Sequence, residues 1–176
     1  MENKALMKNT RFLLFIPVFF FVSCSEKKAG EAHPKIPEQA IEKFSVTETR
    51  EGKPNWELES ASAQVIEAKK IALLKAPKIK FYQKGEHIST LTANNGRINT
   101  ENYDIWGEDS CVLTTVKGER LETSNLHYRS DIQKIVTADK VKLIRPNEII
   151  YGVGMEATPD LESIIIKKQR VEVKGK

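Results

Sequence analysis

Four glutamates in two close pairs, Glu57 with Glu59 and Glu119 with Glu122, are the residues of this chain best spaced for acid–base chemistry. Paired carboxylates can divide the general acid and base roles of glycan hydrolysis. Here they alternate with apolar residues: Trp56 and Leu58 flank Glu57, and Leu121 precedes Glu122. On a strand that alternation sends the carboxylates to the solvent face. The other reactive types are scattered. Cys111 lies in the strand-like run Ser110-Cys111-Val112-Leu113 and reads as a small buried apolar residue. His33, His87 and His127 have no companions at metal-ligand spacing. Gly152-Val153-Gly154 lacks the third glycine and following helix of a phosphate loop, and reads instead as a bulge or a close backbone approach. No catalytic residue, metal or cofactor is assigned, and the chain reads as a non-enzyme.

Cys24 is the exception. Lys4, Lys8 and Arg11 make a positive start, and eleven uncharged residues follow, 12–22. A bilayer-spanning helix wants about 20 apolar residues, so this run suits a signal-peptide core better. Phe21-Val22-Ser23-Cys24 then resembles a bacterial lipobox, with Phe21 where leucine is usual. The expectation is that residues 1–23 are a signal peptide and that Cys24 is lipidated, becomes the mature N-terminus and anchors the chain to the membrane. The competing readings are ordinary cleavage, or an uncleaved short anchor beside which Cys24 is a bystander. Residues 24–43 are polar, carry Pro34 and Pro37, show no periodicity and read as a flexible tether. That leaves 44–176 as the domain. Removing residues 1–23 lowers the formal charge from +4 to +2, because three Lys/Arg and one Glu leave with them. A domain so near neutrality lacks the basic footprint of a nucleic-acid binder.

Within the domain, apolar residues recur in phase. Leu58, Leu91, Leu121 and Ile150 start units 33, 30 and 29 residues apart. Seven residues on stand Val65, Ile98, Tyr128 and Ala157; fourteen on, Ile105, Ile135 and Ile164. Ile79, Val112 and Val171 fall twenty-one on, and Val141 misses that phase by one. A period of this length marks stacked units that bury an apolar face only against their neighbours. Short alternating runs are broken by Gly52-Lys53-Pro54, Lys84-Gly85-Glu86, Lys117-Gly118-Glu119 and Ala138-Asp139-Lys140, all read as turns. The predicted fold is all-β: a two-sheeted, antiparallel, jellyroll-like body of roughly 30-residue repeats, open at both ends. Trp56, Leu58, Leu91, Ile98, Ile105, Val112, Leu121, Tyr128, Ile135 and Ile164 are expected inside. The last strands are expected at 161–166 and at Arg170, Val171, Glu172 and Val173. The charges flanking that last strand guard an open edge yet would admit a matched partner strand.

The layout resembles the LptC family of the lipopolysaccharide export machinery, and is close to LptA and OstA-type repeats. The residues that carry the resemblance are Gly52…Trp56-Glu57-Leu58, Leu91-Thr92-Ala93-Asn94-Asn95-Gly96-Arg97-Ile98, Gly118-Glu119-Arg120-Leu121-Glu122-Thr123 and Ile150-Tyr151-Gly152-Val153-Gly154-Met155. It spans about residues 44–173. The family implies an elongated, twisted β-jellyroll holding the acyl chains of lipopolysaccharide in an apolar groove. It also implies edge contacts with an inner-membrane ABC transporter complex on one side and an LptA-like periplasmic protein on the other. Many members carry a transmembrane helix, whereas this chain is expected to use its lipid anchor, at the periplasmic face and with the inner membrane favoured. The leading reading is thus a lipid-transport bridge component. The alternatives are a periplasmic lipoprotein that only scaffolds a protein partner, and an enzyme built on the glutamate pairs.

Overall fold

The structure, a computed structural model, describes residues 39–173. Cys24, the signal peptide and residues 24–38 of the tether lie outside the described residues. Twelve strands follow in order: β1 (Gln39–Arg50), β2 (Lys53–Ile66), β3 (Ile71–Lys75), β4 (Lys78–Gln83), β5 (Glu86–Thr92), β6 (Asn95–Asn99), β7 (Ile105–Thr115), β8 (Arg120–Arg129), β9 (Lys134–Ile144), β10 (Glu148–Ala157), β11 (Ile164–Ile166) and β12 (Arg170–Val173). The first strand begins at Gln39, so residues 39–42, expected in the tether, pair with β2 instead. Alternation explains the strands, and the hairpins explain their order. Glu51-Gly52 and Lys84-Gly85 both have positive φ at each position, the twist that a two-residue hairpin needs and that glycine adopts without steric cost. Among the described residues no helix is long and apolar enough to cross a membrane.

All the strands pair antiparallel, and they form one sheet rather than the expected two. That sheet is folded over. Residues 56–59 of β2 pair with β4, whereas 62–66 pair with β3. In the same way, residues 105–108 of β7 pair with β6 and 112–115 pair with β5. Each long strand therefore serves two leaves, joined along a line of corners. Lys43, Ala76 and Asp109, each 33 residues after the last, turn the chain there with positive φ, as do Ser110, Gly154 and Lys168. Register shifts mark the corner in β7, β8 and β10. Bulges of this kind bend a strand without ending it. Ala138-Asp139-Lys140, expected to be a turn, lies in continuous β9 for this reason; the turn is at 130–133.

The corner lets each leaf cover the other. On one leaf an inward row reads across the strands Val46–Leu58–Ile79–Leu91–Leu113–Leu121–Leu143–Ile150–Val171. On the other it reads Val65–Ala72–Ile98–Ile105–Tyr128–Ile135–Ala157–Ile164. The first row gathers the residues at phases zero and twenty-one of the sequence repeat, the second those at seven and fourteen. Val112 breaks the pattern. It faces outward beside Thr92 and Glu122, and Leu113 takes the inner place. The corner at Asp109-Ser110 adds a residue against β8, which carries the inward position one further along. Leu143 holds the equivalent place in β9.

Near the C-terminus β11 covers only Ile164–Ile166, shorter than the expected 161–166; Leu161 is a fully buried turn residue with positive φ. Gly152 permits β11 to close on β10, because a Cβ there would lie 2.1 Å from Ile166 Cγ2 and 2.8 Å from the Lys167 carbonyl oxygen. Gly152→Ala forces those atoms apart. Overpacking of this kind costs about 1–3 kcal/mol, which denaturant titration would register as a lower midpoint. An unchanged midpoint would mean that β11 does not pack there.

Candidate functional site: the interior between the leaves and its mouth

The interior is built from the two inward rows. Trp56, Leu58, Leu91, Ile105, Leu121 and Ile135 are fully buried, and Ile98 and Tyr128 are 2% exposed. Ile164 is partly buried against the same cluster. The expected groove residues thus converge, except Val112, but on a closed interior rather than an open trough. The leaves touch directly. Phe81 meets Tyr128 with ring centroids 4.9 Å apart, and Trp56 meets Tyr103 at 6.1 Å. Phe81, Leu113 and Leu143 belong to the site although they were not singled out from the sequence. The signal that could have found the last two is a phase of twenty-two rather than twenty-one.

Opposite the corners, the strand tips form a mouth. Arg50, at the end of β1, donates to the Ser130 carbonyl oxygen at 3.2 Å, and Gln133 Nε2 donates to Asn55 Oδ1 at 3.4 Å. Lys117 Nζ bonds Glu162 Oε1 at 2.5 Å farther along. Each contact joins one leaf to the other. Beneath them is a cavity of about 550 Å³ whose lining includes Arg50, Lys53, Asn55, Phe81, Lys84, Tyr128 and Lys134. Its volume is that of a small-ligand pocket. The Phe81–Tyr128 pair lies in its wall, between the cavity and the apolar rows.

The outer surface carries the charges. Lys80 lies 3.7 Å from Glu57 and 3.5 Å from Glu59, and Arg145 Nε bonds Glu119 at 2.7 Å. Tyr82 donates to Glu57 Oε2 at 2.7 Å, and that bond together with burial pushes its phenol up to about 12. Glu122 is held below the usual carboxylate range by the Arg120 hydrogen bond, the reverse of what a general acid needs. The glutamate pairs therefore work as cross-strand charge ladders. Cys111 is 1% exposed, and its thiol is pushed up to about 12, chiefly by burial. A thiol so protonated and enclosed is a packing residue. His127 stacks on Trp106 at 4.4 Å on the outer face, with Asp104 at 3.2 Å from its Nε2. The described residues hold no group of three potential metal ligands.

The two ends of the sheet differ from its middle. β1 pairs only with β2, and β12 pairs only with β10. Val171 extends the inward row past Ile150 but is 47% exposed, and Val173 is 79% exposed. Arg170 and Glu172 bond each other on the opposite face, with Arg170 over the Tyr151 ring at 5.5 Å.

Comparison with known proteins agrees with this architecture. No curated protein sequence matches the chain. Among solved structures it is similar to LptH, described as the LptA-homologous periplasmic component of the lipopolysaccharide transport device of Pseudomonas aeruginosa, with a TM-score of 0.51 at 11% identity. The match covers 69% of this chain and 94% of that one, and it identifies the fold as an LptA-type β-jellyroll. The family model described as "Lipopolysaccharide-assembly, LptC-related" matches residues 13–172. The chain belongs to the LptC family.

Proposed function

We propose that the domain carries lipopolysaccharide by taking its acyl chains between the two leaves, as one link of a periplasmic transport bridge. The observation that carries this reading is the pair of inward rows, which run apolar and unbroken across the sheet from one edge region to the other. Membership of a lipopolysaccharide-assembly family supports the cargo, and proteins of this type are non-enzymatic and periplasmic. Burial supplies the affinity. A chain of about twelve methylenes gains about 10 kcal/mol at ~0.8 kcal/mol per CH₂. That attraction has no preferred direction, so the chain can slide along the rows.

The finer parts of the proposal follow from the edges and from the N-terminus. An inner-membrane ABC transporter complex delivers the lipid, and an LptA-like jellyroll receives it by adding a strand to β12. Lipidated Cys24 holds the chain at the membrane, with the inner membrane favoured. The motivation for the β12 edge is Val171, an inward-row residue with nothing beyond it.

A photo-crosslinking side chain at Ile98 or Ile135 is expected to capture lipopolysaccharide in cells, and one at Glu57 or Lys142 is not. Equal labelling of the two pairs would contradict the inner site. Capture of protein alone would favour a scaffold that holds only a partner. Val171→Pro removes a main-chain donor within β12. That variant is expected to remain folded and membrane-attached and to lose most capture of its periplasmic partner. Full capture by the folded variant would exclude the β12 edge and make β1 the next candidate.

A further inference from the structure

One inward row lies between the apolar rows and the mouth. It reads Glu48–Trp56–Phe81–Ser89–Thr115 across five strands. Trp56 and Ser89 are both 0% exposed, yet Trp56 Nε1 and Ser89 Oγ have no hydrogen-bond partner. Glu48 Oε2 in the same row has none either. Phe81, between Trp56 and Ser89, also lines the mouth cavity. An orphaned buried polar atom costs about 1–3 kcal/mol. Three of them in one row, beside the opening described above, amount to a free donor, a free acceptor and a hydroxyl that can be either.

We propose that this belt is a subsite for the polar linkages of the bound lipid. It recognises the ester or amide carbonyls, and the hydroxyls, that join acyl chains to a headgroup. The inference rests on the lipid-carrying reading above and adds the position and polarity of the lipid. Trp56 Nε1 donates to a carbonyl oxygen, Ser89 Oγ donates or accepts, and Glu48 Oε2 accepts from a hydroxyl. With the linkages at the belt, the acyl chains run down onto the rows of Leu58 and Ile98, and the headgroup stays in the mouth. Lys53 and Lys84, which line that mouth and make no ion pair among the described residues, can meet an anionic headgroup, beside the carboxylates Glu51 and Asp160 of the same lining. A carrier so arranged holds its cargo in one orientation while the apolar rows remain indifferent to chain length.

The test compares two probes of equal chain length, a diacylated glucosamine 1-phosphate and its dialkyl ether analogue, which lacks the carbonyls. Partition of each radiolabelled probe is measured onto the full chain held in nanodiscs, against empty nanodiscs. The native protein is expected to favour the diacyl probe by about tenfold, the worth of one or two buried hydrogen bonds. Ser89→Ala, which leaves the groove residues in place, is expected to erase most of that preference while binding of the ether probe persists. Thermal unfolding of the variant should be unchanged or raised, since the substitution deletes an orphaned polar atom and almost no volume. A preference retained by the variant, or absent from the native protein, would overturn the subsite. Failure of the native protein to bind either probe would instead overturn lipid carriage, and the subsite with it.

Discussion

Contact between the two leaves is the interaction on which everything else in this protein depends. A sheet with one apolar face has to cover it, and the described chain has only a three-residue helical turn, Glu67–Lys69, to offer. The sheet can cover itself only by folding over. Burying a large aliphatic side chain contributes about 1.5–3 kcal/mol, and the rows of Leu58 and Ile98 supply that burial to each other along the whole stack. Covering of this kind is chemically unselective. An acyl chain offers an apolar surface of the same nature as the opposing leaf and can take its place. Under the proposed function the fold is stable when closed and receptive when parted, and the same side chains serve both states.

The corners and the mouth divide the mechanical work. Along the corners the backbone is continuous and the side chains are cross-linked: Asn95 Nδ2 bonds Asp109 at 2.8 Å, and Asn125 Nδ2 bonds Asp139 at the same distance one unit later. At the mouth the leaves are held by Arg50 on Ser130, Gln133 on Asn55 and the exposed Lys117–Glu162 pair. Hydrogen bonds of that kind contribute about 0.5–1.5 kcal/mol each, and surface ion pairs contribute less. Opening at the mouth parts these contacts and the ring pairs Phe81–Tyr128 and Trp56–Tyr103 but leaves the strands paired, whereas parting at the corners would break the sheet itself.

The sequence made the repeat legible because burial imposes phase. Leu58, Leu91, Leu121 and Ile150 fall in one inward row, and Ile98, Ile105, Tyr128 and Ile135 in the other. The same logic misplaced Val112, because a bulge inserts a residue without any marked change in composition, and Ser110-Cys111-Val112-Leu113 reads equally well in either register. The mouth was not legible at all. Arg50 and Ser130 are 80 residues apart, Asn55 and Gln133 are 78 apart, and neither pair has a periodicity to betray it. The polar belt was hidden for a related reason. Trp56 and Ser89 occupy ordinary inward positions, and only the packed interior reveals that their polar atoms lack partners.

The most direct measurement is to fasten the mouth and ask whether lipid still enters. Asn55 and Gln133 already meet across it, so cysteines at both positions can be joined by a short bis-methanethiosulfonate linker. Cys111, with its thiol pushed up to about 12, stays out of the reaction, and Cys24 is capped by its lipid under the same reading. Acyl-lipid binding by the full chain in nanodiscs should be lost when the linker is in place and regained when reductant releases it. Undiminished binding by the fastened protein would contradict entry between the leaves.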